Sequence, residues 1–194
     1  VKKYLNKGKN VIGIMVGGGM YHQNVRHSEG NVNYGEIKVC YKLCVNSEVF
    51  YSNRKAVKCS PGFFKKSNLY YGETLDFTGF DRKWNTLEGE LADGEEPLEI
   101  TAPKTEYYIQ DCPTDKVIET LKPELVKDFG DYSVYRIEKN ISGYPVVRCD
   151  KAGETVVMEC AENLYDDLTL NNMSVGYNTQ RQIEIITTDG GELF

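Results

Sequence analysis

The chain has 194 residues, a length that fits one large domain or two small ones. Hydrophobic residues make up 40% of it and charged residues 27%, which is close to globular averages, so a folded core can form. The longest apolar stretch near the start, residues 11–16, is far shorter than the roughly 20 residues of a transmembrane helix, so no membrane span is expected.

Charge divides the sequence into two halves of opposite sign. Residues 1–87 hold 14 Lys and Arg against 6 Asp and Glu, a net of +8, whereas residues 88–194 hold 9 against 23, a net of −14. Such a change predicts a basic β module over 1–87 and an acidic β module over 106–194. Residues 88–105, rich in Gly, Pro and acids, are either the linker between them or a solvated loop inside one domain.

Strand patterns dominate along the chain. Apolar or alternating runs predict strands at residues 10–16, 36–41, 48–51, 55–59, 106–109, 131–137, 144–149, 154–160 and 182–188. Ser52, Asn53 and Arg54 would form a hairpin turn between the third and fourth of these strands. The fold class predicted from these runs is mostly β.

One helix is predicted near residues 115–127. Thr114 or Asp115 could cap it, and apolar residues recur at helical spacing: Val117, Ile118, Leu121, Leu125 and Val126. Pro123 would interrupt or restart this helix. The expected architecture is therefore small, disulfide-stapled antiparallel sheets in two modules, with this one short helix.

Six cysteines are spread along the chain: Cys40, Cys44, Cys59, Cys112, Cys149 and Cys160. Their even number favours three disulfides and leaves the pairing open. A zinc site is disfavoured because no second close pair follows the first two cysteines. The sequons at Asn140 and Asn172 are predicted N-glycosylation sites. Together these features predict a secreted, extracellular glycoprotein.

Catalytic chemistry is not recognisable in the sequence. Only His22 and His27 offer imidazoles, and no nucleophile motif such as G-x-S-x-G accompanies them. Acid pairs such as Asp166-Asp167 would serve a glycosidase only if two carboxylates converged across a cleft. We therefore predict no catalytic residue, no metal site and no cofactor.

Two surfaces are candidates for binding. A basic cluster among aromatic residues predicts a polyanion site for glycosaminoglycan or extracellular DNA, with a solvated lysine-rich face as the alternative. Its members are Arg54, Lys55, Lys58, Lys65 and Lys66. Tyrosines of the acidic half are candidate protein contacts, with core packing as the alternative. They are Tyr107, Tyr108, Tyr132, Tyr135, Tyr165 and Tyr177.

Two stretches resemble complement control protein (sushi) modules. Residues 56–64 read Ala-Val-Lys-Cys-Ser-Pro-Gly-Phe-Phe, similar to the strand–cysteine–proline–glycine–aromatic signature, and Trp84 lies downstream. The second stretch ends in Cys149 and continues through residues 153–160 to Cys160. Neither half has the cysteines of a regular module, so the chain is most similar to the degenerate modules of secreted immunomodulators of parasitic helminths.

That resemblance implies a non-enzymatic binder of a host extracellular protein, such as a cytokine or cytokine receptor, whose signalling it would block. The acidic half would favour a basic partner through charge complementarity. Two alternatives remain at this point: a small secreted hydrolase that uses paired carboxylates, and a self-assembling surface or coat component.

Overall fold

The computed structural model describes residues 2–22, 33–89, 94–102, 104–175 and 182–193. Within these ranges the chain forms strands and three short 3-10 turns (Lys2–Tyr4, Arg54–Ala56 and Asn172–Val175) but no α-helix, and no helix there is long and apolar enough to cross a membrane. The strands are β1 (Lys42–Val45), β2 (Glu48–Tyr51), β3 (Phe64–Asn68), β4 (Gly72–Asp76), β5 (Glu124–Asp128), β6 (Ser133–Arg136), β7 (Val147–Arg148), β8 (Ala152–Cys160), β9 (Asn163–Leu164), β10 (Leu170–Asn171), β11 (Gln182–Asp189) and β12 (Glu192–Leu193). The predicted mostly β fold class is confirmed.

A four-stranded sheet is the centre of the fold. Its strand order is β3-β4-β11-β8, with β4 and β11 parallel and the other two pairs antiparallel. The remaining strands pair in two-stranded sheets: β1 with β2, β5 with β6, β7 with β12 and β9 with β10. The central sheet takes strands from both sides of the predicted 88–105 linker. The division into two modules stays a prediction, and two such modules would have to share this sheet.

The hydrophobic core lies on one face of the central sheet. Leu75 of β4 lies beside Ile186 of β11 in the register, and both are buried together with Phe77. The Phe63 ring stacks on the Phe77 ring at 4.4 Å between centroids and meets the Phe80 ring edge-on at 5.0 Å. Since successive side chains of a strand alternate between faces, Glu184 and Thr188 share this face with Ile186.

A glycine allows β4 to begin against β11. Gly72 has φ of +83°, a conformation that side-chain-bearing residues rarely adopt. A Cβ at this position would lie 2.2 Å from the carbonyl oxygen of Ile183, so a larger residue would push the two strands apart. The Ile183 N–H donates to the Tyr71 carbonyl at 3.4 Å, which holds the turn before β4 on this neighbour.

An ion pair fastens the segment after β4 to the end of β11. Arg82 donates through Nε and Nη2 to the two carboxylate oxygens of Asp189, at 2.6 and 2.7 Å. The hydrogen bond from Arg82 and its positive charge hold the pKa of Asp189 below its usual range. Thr188, which is fully buried, donates to the Lys151 carbonyl at 2.5 Å. These bonds fix the carboxyl end of β11.

The predicted helix at 115–127 is wrong. Residues 112–123 adopt no regular secondary structure, and Glu124–Asp128 is strand β5, whose Leu125 lies opposite Tyr135 of β6. Pro123 cannot donate an intrahelical hydrogen bond, so a helix through it is disfavoured. Gly130 at φ +92° makes the turn to β6, and the Phe129 and Tyr132 rings stack across it at 4.8 Å. Cross-strand pairing therefore decides the structure of this segment.

The predicted disulfides are not formed. Cys40, Cys44, Cys59, Cys112, Cys149 and Cys160 all carry free thiols. Where a cysteine has a neighbour across a strand pair, that neighbour is another residue type: Val49 opposite Cys44, Glu95 opposite Cys59 and Gln182 opposite Cys160. An even count of cysteines does not bring them together, and the sheets here are held by hydrogen bonds and the small core.

Several predicted strands are confirmed and others are wrong. Runs 48–51 and 131–137 contain β2 and β6, runs 154–160 and 182–188 lie within the longer strands β8 and β11, and the run 144–149 shortens to Val147–Arg148. Runs 10–16, 36–41, 55–59 and 106–109 form no strand. The hairpin partner of β2 is β1, which precedes it, rather than the run after Ser52-Asn53-Arg54.

Candidate functional site

An open pocket of about 600 Å³ lies beside the β1–β2 hairpin. This volume is within the range of about 300–1,000 Å³ that small-molecule sites occupy. Five of the eight lining residues are aromatic or aliphatic: Tyr41, Val49, Phe50, Tyr51 and Ala56. Ser52, Asn53 and Glu99 supply the polar groups. We call these eight residues the hairpin pocket.

Hydrogen bonds at the open end of the hairpin fix one side of the pocket. The Tyr41 N–H donates to Ser52 Oγ at 2.6 Å, and Ser52 Oγ donates back to the Tyr41 carbonyl at 3.2 Å. The Ser52 N–H also donates to that carbonyl, at 3.0 Å. At the closed end, Asn46 takes the left-handed conformation, with φ of 54°, in a two-residue turn. The aromatic wall is therefore carried by a paired, registered hairpin.

The opposite side of the pocket is formed by residues 53–56 and 99. Asn53 Oδ1 accepts from the Lys55 N–H at 2.9 Å and so caps the 3-10 turn Arg54–Ala56. Cys59 and Glu95 exchange two backbone hydrogen bonds of 2.9 Å, which bring the segment before Glu99 alongside this turn. Arg54 Nε lies 4.0 Å from a carboxylate oxygen of Glu96 and adds a weak, exposed ion pair. Two separate stretches of chain thus meet at the pocket.

The hairpin pocket can bind a small polar molecule that has an apolar face. Phe50 and Tyr51 are exposed by 49% and 63%, so their rings are accessible for stacking. The Glu99 carboxylate accepts hydrogen bonds, and the Asn53 amide both accepts and donates. Among the described residues, no group of three or more His, Cys, Asp or Glu side chains could hold a metal ion.

A second candidate is a pair of glutamates on the central sheet. Glu73 and Glu184 lie one residue before the Thr74–Ile185 pair of β4 and β11, so they are side by side. Burial, and then the charge of Glu73, raise the pKa of Glu184 above its usual range. Ser67 Oγ donates to Glu73 at 2.8 Å, and the Glu73 N–H donates to the Glu184 carboxylate.

This glutamate pair can hold a proton, because a carboxyl with a raised pKa lies beside another carboxylate. A glycosidase uses such a combination when the two groups face each other across a cleft. Neither glutamate lines the hairpin pocket, and Met158 of β8 lies directly opposite Glu184 in the register. We interpret the pair as part of the sheet rather than as a catalytic pair.

The predicted polyanion cluster is divided between two elements. Arg54 and Lys55 belong to the 3-10 turn at the hairpin pocket, Lys58 follows it, and Lys65 and Lys66 lie on β3. All five side chains are exposed, and Arg54 has Glu96 as a partner. Polyanion binding stays a prediction.

Five of the six tyrosines predicted to contact a partner are exposed: Tyr107, Tyr108, Tyr132, Tyr135 and Tyr165. Tyr177 lies outside the described residues. The hydroxyl of Tyr108 donates to the Glu106 carboxylate, and this hydrogen bond raises the pKa of Tyr108. Their binding role stays a prediction.

The two sequons differ in their surroundings. Asn140 is exposed. Asn172 is half-buried, and its side-chain amide donates to Glu159 at 3.1 Å. N-glycosylation and an extracellular location stay predictions.

Sequence reasoning missed the hairpin pocket because it paired β2 with the wrong segment. The pocket depends on Tyr41 meeting Ser52, and this contact follows only when residues 42–45 are the partner of 48–51. The signal available was the Asn46-Ser47 turn between two short, mostly apolar runs. Glu99 had no local signal, since it reaches the pocket through the Cys59–Glu95 bridge.

Together, the fold and the site define a mostly β protein with an open pocket beside the β1–β2 hairpin, lined by aromatic, aliphatic and a few polar residues. Residues 1–119, more than half of the chain, match the family model of the alpha-L-rhamnosidase N-terminal domain. The chain therefore belongs to this family. No curated protein and no solved structure matches the chain significantly.

The family match overturns the resemblance to sushi modules. It also overturns what that resemblance implied, a non-enzymatic immunomodulator that binds a cytokine or its receptor, because the family belongs to glycoside hydrolysis. The structure supplies a physical reason: Cys59 lies in an isolated bridge to Glu95, and the thiols of Cys149 and Cys160 are free, so the framework that defines a sushi module is absent from these positions.

Proposed function

We propose that the protein acts in the hydrolysis of α-L-rhamnosides and that this chain binds the rhamnosyl substrate. The observation that carries this proposal is the match of residues 1–119 to the alpha-L-rhamnosidase N-terminal domain. All eight residues of the hairpin pocket fall inside the matched region. A part of a glycosidase that presents an aromatic-walled pocket is suited to hold the sugar rather than to cleave it.

Calorimetric titration of the 194-residue chain with methyl α-L-rhamnopyranoside tests this proposal. At an ordinary ligand efficiency, each non-hydrogen atom of such a ligand contributes roughly 0.3 kcal/mol to the binding free energy. We therefore expect a dissociation constant on the order of 1 mM. Methyl β-D-glucopyranoside is the matched control, and we expect it to bind more weakly. Equal binding of the two sugars, or no binding of either, would contradict the proposal.

A further inference from the structure

An apolar segment near the start of the chain lies at the surface without a strand partner. Residues 11–16 read Val-Ile-Gly-Ile-Met-Val, and their five large side chains are each between 42% and 54% exposed. Among the described residues, no backbone group of this segment pairs with another backbone group. Apolar, β-branched sequence of this kind favours strand pairing. The segment therefore offers both apolar side chains and free backbone groups to a partner.

Trp84 holds the middle of this segment in place. A Cβ on Gly13 would lie 2.6 Å from two atoms of the Trp84 ring and 2.7 Å from Cβ of Asn85, so the Gly13 backbone packs directly on the indole. The Trp84 N–H donates to the Asp81 carbonyl at 3.0 Å, in the turns that follow β4. The segment is thus attached at Gly13, while the apolar residues before and after this glycine remain exposed.

Charge distinguishes the two strand edges on which such a segment could pair. Within the described residues, β3 and β8 are the edge strands of the central sheet. β3 carries Lys65 and Lys66, whereas β8 carries Glu154 and Glu159 and no basic residue. Residues 1–22 contain four lysines and no acid. Charge complementarity therefore favours pairing with β8 and disfavours pairing with β3.

Strand β8 also suits the segment in length and composition. It has nine residues, and its Thr155-Val156-Val157 run supplies β-branched side chains for cross-strand pairs. We infer that residues 10–16 of one copy of the chain add as a fifth strand to the β8 edge of the central sheet in a second copy. Both complementary elements occur in the same chain, and in a single copy they are not paired with each other. One added strand buries less surface than a standard interface, so the association is weak.

Sedimentation velocity of the 194-residue chain, from micromolar to submillimolar concentration, tests this inference. We expect the weight-average sedimentation coefficient to rise with concentration. Reversing the charge of the segment with Lys7→Glu and Lys9→Glu together, or of the edge with Glu154→Lys, should each weaken self-association about tenfold. Ile14→Pro should abolish the rise, because proline removes an N–H that a strand ladder needs.

Mixing the two charge-reversed proteins is the sharpest test. Each alone meets a like charge, whereas the mixture offers opposite charges at both contacts, so we expect association to return to the wild-type level. The matched controls are Lys65→Glu with Lys66→Glu on β3 and Asp131→Lys in the β5–β6 turn, all exposed residues, and these should associate like wild type. Circular dichroism checks that every variant is folded.

Three results would overturn the inference. The first is a wild-type chain that stays monomeric at every concentration. The second is self-association that is equally strong in the charge-reversed variants, which would place the contact elsewhere. The third is a monomer that binds vesicles of anionic lipid through Lys7 and Lys9, since the partner of the segment would then be a membrane surface. None of these results depends on the binding of a rhamnoside.

Discussion

At the scale of single residues, the most informative side chain is Glu184. It shares the core face of the central sheet with Ile186, and Glu73 on β4 is its charged neighbour. Burial and the charge of Glu73 raise its pKa, so the folded state binds the Glu184 proton more tightly than the unfolded state does. Stability from this group is present at low pH and is lost as pH rises through the folded pKa.

Replacing Glu184 with Gln should therefore stabilise the protein in a pH-dependent way. The neutral amide has the same shape and removes the repulsion from Glu73, so we expect a higher urea midpoint than wild type at about pH 8. The difference in urea midpoint should be smaller at about pH 5, where a larger fraction of Glu184 is protonated in the wild type. Glu154→Gln, an exposed acid on β8, should show no such change. If the urea midpoint of Glu184→Gln equalled that of wild type at both pH values, the charge of Glu184 would have no effect on the free energy of unfolding.

Asp189 shows the opposite behaviour on the same strand. Its pKa is lowered, first by the hydrogen bond from Arg82, so its contribution to stability is present above the unfolded pKa and is lost on acidification. Two carboxyls five residues apart on β11 thus respond to pH in opposite directions. The difference follows from their partners: a carboxylate in one case and a guanidinium in the other.

At the scale of elements, β11 is the strand on which the core depends. It pairs with β4 from the first half of the sequence on one side and with β8 from the second half on the other. Ile186 lies in its middle, beside Leu75 and opposite Val156, and is 1% exposed. Few other described side chains are as deeply buried, so few other apolar contacts would stabilise the sheet if those of Ile186 were lost.

Ile186→Ala should cost about 2–5 kcal/mol of unfolding free energy, because it removes buried methyl groups and leaves a cavity between Leu75 and Val156. Val157→Ala on the neighbouring strand is the control: this side chain is 62% exposed, so we expect a loss below about 1 kcal/mol. Urea denaturation followed by circular dichroism measures both. A similar loss of unfolding free energy in the two variants would show that Ile186 is not part of the hydrophobic core.

The elements that sequence predicts well are the two long runs that contain several β-branched residues. Residues 154–160 and 182–188 are found in the two long strands, β8 and β11, whereas the alternating run 36–41 forms no strand. β3 was missed because Lys65 and Lys66 interrupt any apolar run, and this strand is defined by pairing with β4 instead. The apolar residues of 10–16 do not form a strand, and they show that hydrophobicity without a pairing partner does not specify one.

The candidate site was less predictable than the fold. The hairpin pocket needs the register that sets Tyr41 against Ser52 and the long-range bridge from Cys59 to Glu95, and neither is visible in local sequence. The glutamate pair likewise depends on the parallel register of β4 and β11, whose members lie more than a hundred residues apart. Sequence identified acids as abundant but could not show which two become neighbours.

At the scale of the whole molecule, burial is concentrated in one place. Among the described residues, the buried hydrophobic side chains Leu75, Phe77 and Ile186 form one cluster, and Val134 of β6 is buried outside that cluster. The two-stranded hairpins add little buried area, and isolated hairpins are only marginally stable in water. The central sheet therefore carries most of the cooperativity of folding, and it draws its strands from residues 64–76 and 152–189.

This arrangement predicts that residues 1–119, the region matched by the family, will not fold alone. That fragment keeps β3 and β4 but lacks β8 and β11, so Leu75 and Phe77 lose the cover of Ile186. We expect no cooperative urea transition for 1–119, and recovery of one when a fragment of residues 120–194 is added. A fragment of residues 60–194, which keeps all four strands of the sheet, is the control and should unfold cooperatively.

The same comparison tests the division into two modules that the charge asymmetry suggests. If a basic module over 1–87 were independent, 1–119 would show a transition of its own, with a denaturant slope appropriate to its length. That result would mean that the β4–β11 pairing is dispensable. Loss of the transition in 1–119 and its retention in 60–194 would instead establish the central sheet as the folding unit, with the charge boundary lying in a connection between its strands.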